Sequence, residues 1–149
     1  MIDLTKFLST IVLTFSFTSP EPAKLQYNPE FILQAVLDYK KLSFRPDVRL
    51  PEIKYESQAT LKEFQDDLEP QWGFRPEVIT NAYVIKKNVI YLIDEKEYYE
   101  RHQRCIDDSL AHELAHYIQS QYRGWDLNDD SLEWDAIDVQ NWFRENYCR

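Results

Sequence analysis

The segment 105–124, CIDDSLAHELAHYIQSQYRG, constrains the fold most strongly because it has the pattern of one amphipathic helix. Its apolar residues recur at the spacing of a single helix face and form the stripe Leu110, Leu114, Tyr117 and Ile118. Asp107 or Asp108 can cap the N-terminus of this helix. Gly124 supplies a left-handed stop at its C-terminus. The segment therefore predicts a helix that packs on a core through one face.

The same segment carries two histidines on one face of the predicted helix. His112 and His116 are one turn apart, so both imidazoles can bind a single metal ion. The chain has only three histidines, so the pair does not come from a histidine-rich background. Glu113 lies about 100° around the helix from His112, where it can reach a metal-bound water instead of the metal. This HExxH spacing also arises by chance in ordinary helices, so a site requires a third ligand.

Glu133 is the best-placed third ligand. The alternative pattern HExxHxxGxxH fails, because Gln119 occupies the glycine position and Tyr122 the last histidine position. A turn at Gly124 would let the next helix return beside the first and bring Glu133 to the histidines. A second interpretation stays open, because residues 130–133 also have the pattern of a capping box, in which Glu133 bonds to the start of its own helix.

The rest of the chain has the pattern of one α+β domain, residues 24–149. Asn28 followed by Pro29 predicts a helix that begins there and continues to about Leu42. The further elements expected are a strand at 50–55, a helix at 60–68, a loop at 69–81, a β-hairpin at 82–94 and a last helix at 132–146. We expect a small antiparallel sheet beside the two C-terminal helices.

HELAH followed by Glu133-Trp134-Asp135-Ala136 resembles the gluzincin branch of the zincin metallopeptidases, in particular its small single-domain bacterial members. The resemblance covers about residues 82–143. It implies a zincin-like fold, with Zn²⁺ bound by His112, His116 and Glu133. It also implies that Ala136 lets the two helices approach closely.

The resemblance further implies hydrolysis of a peptide or protein substrate by a zinc-activated water, with Glu113 as general base. Larger gluzincins often have an aspartate where this chain has Ile137, so the residue that orients the zinc histidines stays unassigned. Tyr117, Tyr122 and His102 are the candidates for stabilising the oxyanion. Two alternatives remain: a zincin-fold protein that binds zinc without turnover, and a structural domain in which HELAH is coincidental.

The N-terminal residues 1–23 have the pattern of an export signal. Lys6 precedes an apolar run at 7–17 that is too short to span a bilayer but suits a signal peptide. The alternative is a β-prone strand of the mature fold. In an exported protein Cys105 and Cys148 would form a disulfide, whereas without export they would be buried free thiols. We therefore expect a periplasmic or secreted protein.

Composition excludes two classes of function. The only glycines are Gly73 and Gly124, so glycine-rich phosphate-binding loops cannot be built. The formal net charge is -9 and the basic residues are scattered, so nucleic-acid binding is not expected. No stable membrane span is expected either, and the oligomeric state is left open.

Overall fold

The computed structural model describes residues 19–149, which form an α+β protein as predicted. Its elements are α1 (Pro29–Tyr39), β1 (Glu52–Tyr55), α2 (Leu61–Trp72), β2 (Ala82–Val84), β3 (Val89–Leu92), α3 (Lys96–His102), α4 (Ile106–Gln121) and α5 (Ser131–Tyr147). The predicted signal peptide, 1–23, lies outside the described residues except for its last five. Within the described range, no helix has the length and apolar character needed to cross a membrane.

The sheet has the strand order β1-β3-β2, with the predicted hairpin at its centre and one edge. β2 and β3 are antiparallel, as expected of a hairpin. The prediction of a wholly antiparallel sheet is wrong, because β1 pairs with β3 in parallel. α2 and β2 lie between these strands in the chain and supply the crossover connection that parallel pairing requires. Asn88, at the start of β3, fixes this pairing by donating its side-chain N–H groups to the carbonyls of Arg49 and Leu50.

Helices cover both faces of the sheet, and the strand residues alternate between them. Tyr83, Ile90 and Leu92 face the main core, which they share with α1, α4 and α5. The opposite face packs on α2 through a smaller core that consists of Phe64, Leu68, Ala82, Val84, Val89 and Tyr91. α4 thus lies buried between the sheet and α5, which explains why its apolar stripe is fully enclosed.

Three helix ends differ from the sequence-based expectation. α1 ends at Tyr39 instead of continuing to about Leu42. α2 continues to Trp72 instead of ending at Leu68, because Pro70 lies in its last turn, where only one backbone hydrogen bond is lost. α4 is capped by Cys105, and neither Asp107 nor Asp108 is the cap residue. The Cys105 sulfur accepts from the Asp108 N–H at 3.3 Å, while the Asp108 carboxylate accepts from the Cys105 N–H at 3.1 Å.

Asp107 has a different role, because its carboxylate points away from α4 and accepts hydrogen bonds from the backbone N–H groups of Gln26 and Tyr27. These contacts bind the segment that precedes α1 to the start of α4.

The two cysteines lie where the C-terminus meets the start of α4. The Sγ atoms of Cys105 and Cys148 are at disulfide-bonding distance, with their Cα atoms 6.1 Å apart. A bond there would connect residues 43 positions apart and so restrict the unfolded chain.

Replacing both Cys105 and Cys148 with serine should lower the free energy of unfolding by about 4 kcal/mol, the entropic value for closing a loop of this length. Serine keeps an oxygen at the cap of α4, so the helix start is preserved. Urea unfolding monitored by circular dichroism measures the loss. Dithiothreitol should destabilise the wild type by a similar amount and leave the double variant unchanged; equal stability of the oxidised and reduced wild type would contradict the disulfide.

Candidate metal centre

α4 and α5 pack side by side in opposite directions, and this arrangement builds the site. The contacts pair the start of α4 with the end of α5 and the end of α4 with the start of α5, as in Asp108 with Arg144 and His116 with Glu133. Ala136 is fully buried in the core between the two helices. The small side chain there fits the close approach of the two helices that the resemblance implies.

Glu133 reaches both histidines of α4. Its Oε1 lies 3.1 Å from His112 Nε2 and its Oε2 lies 3.1 Å from His116 Nε2. The imidazoles are largely buried, at 13% and 16% exposure, whereas the Glu133 side chain is 53% exposed. The alternative role of Glu133 in a capping box is not observed, since the Asp130 side chain makes no capping hydrogen bond.

The outer nitrogen of each imidazole is held by a glutamine. His112 Nδ1 lies 3.2 Å from Gln140 Oε1. The Gln140 amide is oriented by its Nε2, which donates to the carboxylate of Asp108 at 2.8 Å. Asp108 is fully buried, and its charge is compensated by Arg144 at 2.8 Å and Arg104 at 3.4 Å.

His116 is held by the same chemistry at the other end of the site. Its Nδ1 lies 2.8 Å from Gln119 Oε1. Gln119 Nε2 donates to the Asp135 carboxylate at 2.9 Å and to the Leu132 carbonyl at 3.0 Å. The Lys40 ammonium from α1 pairs with Asp135 and compensates its charge.

These two amides determine where the imidazole protons lie. Each glutamine nitrogen faces an acceptor, so each glutamine oxygen must face its histidine and accept from the Nδ1–H. The Nε2 lone pairs of His112 and His116 then point at the Glu133 carboxylate, which is itself an acceptor. A proton or a cation must lie between them. This is the tautomer in which histidine binds a metal through Nε2.

The donor set fits a tetrahedral divalent ion. Two ligand atoms that each lie 2.0–2.1 Å from one ion at a tetrahedral angle are about 3.3 Å apart. The two nitrogen-to-oxygen distances of 3.1 Å are close to this value. One ligand atom from each of His112, His116 and Glu133 can be chosen so that all lie within 4.8 Å of one another. These three residues could therefore hold a metal ion.

Charge and burial shift the pKa values of the site. Hydrogen bonds from His112 and His116 hold the pKa of Glu133 well below its usual range. Burial lowers the pKa of His116, but the bond to Glu133 and the charge of Glu113 outweigh it and raise the pKa to about 8. Burial raises the pKa of Glu113, against the opposing effect of the two histidines and of the Tyr83 backbone N–H.

A pocket of about 210 Å³ opens beside the three candidate ligands, and Glu113 lines it. Besides the histidines, the side chains at this pocket that carry N–H groups are Gln71, Trp72 and Asn81. None of the three candidates for the oxyanion role lines it. Tyr117 donates to the Arg49 carbonyl, the Tyr122 hydroxyl accepts from the Arg45 N–H, and His102 stacks on Tyr98.

Gln119 and Gln140 are the site residues that sequence reasoning missed. Gln119 follows His116 by three residues and Gln140 follows Glu133 by seven, so each lies on the helix face of a candidate ligand. This periodicity was a usable signal. Gln119 was used only to exclude the three-histidine pattern, so its contact with His116 was not considered. Gln140 was missed because its partner, His112, lies on another helix.

Comparisons of the chain with protein-family models, with curated proteins and with solved structures find no match.

The pKa of His116 predicts how the stability of the chelator-treated protein depends on pH. The folded-state value of about 8 exceeds the unfolded value of 6.5, so the contribution is complete below pH 6.5 and is lost as the pH rises through 8. The free energy of unfolding should fall by about 2 kcal/mol between pH 6 and pH 9. Urea titrations at each pH measure it. Glu133→Gln should flatten the dependence, and a flat profile in the wild type would contradict the pairing.

Replacing Gln140 or Gln119 with leucine should weaken Zn²⁺ binding about 10–100-fold, because the imidazole loses the acceptor that fixes its tautomer. Competition with a chromophoric chelator measures the dissociation constant. Gln121→Leu is the matched control, since Gln121 also lies on α4 but donates to the Tyr83 hydroxyl. An unchanged constant in the Gln140 and Gln119 variants would show that the amides do not position the histidines.

Proposed function

We propose that this protein is a zinc-dependent metallopeptidase with a gluzincin-like, zincin-type fold. The observation that carries the proposal is the convergence of His112, His116 and Glu133 from two antiparallel helices at a pocket that Glu113 also lines. The HELAH spacing and the downstream glutamate belong to the pattern of this class of enzyme. The fixed tautomers of both histidines add support that is independent of the motif.

Zn²⁺ bound to this donor set would act as a Lewis acid that polarises a carbonyl and lowers the pKa of a water towards neutrality. His112 and His116 would bind it through Nε2, and Glu133 through its carboxylate. The glutamine–aspartate pairs behind the imidazoles keep Nδ1 protonated and the rings in place. Because two neutral imidazoles and one carboxylate carry one negative charge, the loaded site keeps a net positive charge that suits a polarised carbonyl.

Glu113 is the proposed general base. It follows His112 directly, is 5% exposed and lines the pocket without being one of the three candidate ligands. Burial raises its pKa and so makes the carboxylate a better proton acceptor than an exposed glutamate. In the proposed reaction, Glu113 takes the proton of the attacking water and returns it to the leaving amine of a peptide bond.

A zinc-binding protein without turnover is the second candidate. Two observations favour this candidate. The pocket is small, and none of the expected oxyanion donors, Tyr117, Tyr122 and His102, lines the pocket.

In a peptidase the developing oxyanion needs a donor. Besides the histidines, the described side chains with N–H groups at the pocket are those of Trp72, Asn81 and Gln71, of which Gln71 already donates to the Tyr83 carbonyl. Asn81 Oδ1 accepts from the Ile93 N–H at 2.7 Å, and this bond orients Nδ2, the atom of this amide that can donate to an oxyanion.

Export is part of the proposal, since the sulfur pair of Cys105 and Cys148 suits an oxidising compartment. The proposed signal peptide, residues 1–23, would be removed on export, and its last residue, Ala23, packs against the main core and donates its backbone N–H to the Asp94 carbonyl at 2.8 Å.

Glu113→Gln should retain about one Zn²⁺ per chain and lose peptide hydrolysis by 100-fold or more, because the metal ligands are intact and the base is removed. Glu133→Ala should bind zinc more weakly and also lose activity. Elemental analysis and cleavage of a fluorogenic peptide mixture measure both. Glu145→Gln, on the last turns of α5 and away from the histidines, is the control. Zinc without turnover in the wild type would favour the binding protein, and a folded wild type that takes up no zinc would contradict both candidates.

A further inference from the structure

The outer edge of β2 is paired by a side chain. Among residues 19–149, β2 is an edge strand of the sheet, so one row of its backbone groups has no neighbouring strand there. Gln71 Nε2 donates to the Tyr83 carbonyl at 2.9 Å, and the Ile85 N–H donates to Gln71 Oε1 at 2.9 Å. A side-chain amide has the same N–H and C=O groups as a peptide unit. Gln71 therefore occupies the position that one peptide unit of an added strand would take.

This contact lies at the candidate metal centre. Gln71 lines the pocket of His112, His116 and Glu133, and it also lines an adjoining cavity of about 550 Å³ beside Ile85 and the lysines that follow. The two cavities adjoin along the edge of β2, with Gln71 between them. An extended peptide that paired with this edge would need the same two backbone groups of Tyr83 and Ile85.

The last turn of α2 is built so that Gln71 can leave the strand. Pro70 has no N–H, so the terminal turn lacks one of its helical hydrogen bonds. Gly73 ends the helix in the left-handed conformation, with no atom near the position of a Cβ. Arg75 anchors the preceding turn through Glu69 at 2.6 Å and Asp66 at 2.9 Å. The Gln71 side chain can therefore rotate away while the rest of α2 stays in place.

We propose that Gln71 is an internal stand-in for a substrate peptide unit, which closes the β2 edge and is displaced when an extended peptide binds beside the metal centre. The inference rests on the proposed peptidase function and adds a means of regulating access to that site. Peptide binding then competes with two intramolecular hydrogen bonds.

A purely structural role makes the opposite prediction. If Gln71 only connects α2 to the sheet, its loss lowers stability and does not improve peptide binding. Gln65 provides a matched control on the same helix, because its side chain donates to the Pro76 carbonyl in the following loop and not to a strand.

The test uses the zinc-loaded Glu113→Gln protein, in which a bound peptide is not cleaved. The probe is a fluorescein-labelled octapeptide of alternating valine and lysine, with capped ends, whose binding is measured by fluorescence anisotropy. Gln71→Ala should bind it about tenfold more tightly, a change that corresponds to about 1.4 kcal/mol. Gln71→Leu, which keeps the volume, should bind more tightly too, and Gln65→Ala should match the parent. Hydrogen exchange of the Ile85 amide should accelerate in free Gln71→Ala and slow again when the peptide binds.

Equal or weaker peptide binding by both zinc-loaded Gln71 variants would overturn the inference. Zinc content, measured on the same samples, separates this failure from that of the proposed function. A folded parent without zinc contradicts the metallopeptidase, whereas zinc-loaded variants with unchanged affinity contradict only the role of Gln71.

Discussion

The packing of α5 against α4 is the contact on which the rest of the structure depends. It buries Ala136 and encloses the apolar stripe of α4 between α5 and the sheet. It also sets the antiparallel register in which Glu133 lies opposite His116 and Gln140 opposite His112. The cysteine pair closes one end of this interface, and the loop after Gly124 closes the other. A shift of one helical turn between the two helices would separate every one of these groups.

Burial explains why amides hold the histidines in this interface. A bare carboxylate inside the core would need compensation for its lost hydration. Asp108 has that compensation from Arg104 and Arg144, and Gln140 extends its effect to His112 without adding charge beside the ring. Gln119 provides the same neutral connection at the other histidine. The candidate metal centre is therefore surrounded by hydrogen bonds whose directions are fixed from outside.

The sheet contributes the wall of the site. β2 lies between the smaller core on α2 and the buried face of α4, and its outer edge faces the pocket. Gln71 at the end of α2 satisfies the backbone groups that this edge would otherwise expose. Stability and access to the site are thus linked through Gln71. Its two hydrogen bonds satisfy the backbone groups of the strand edge, and they also occupy the groups with which a bound peptide would pair.

Local signals were sufficient for most elements and for the candidate ligands. The helix periodicity of 105–124, the cap and first-turn proline of α1, and the hairpin at 82–94 depend on residues close in sequence, and each of these elements is observed. His112 and His116 follow from the period of a helix alone. The end of α2, the Cys105 cap and the parallel pairing of β1 did not follow, because neighbouring structure decides them.

The sequence by itself determined that His112 and His116 share one helix face and that Glu133 is a candidate to join them. Only the tertiary structure decided that Glu133 turns to the histidines instead of capping its own helix, that Gln119 and Gln140 orient both rings, and that Gln71 covers the strand edge. The physical reason is that hydrogen bonds between distant segments form only after packing brings the segments together. The identity of a polar side chain leaves open which of several partners it will meet.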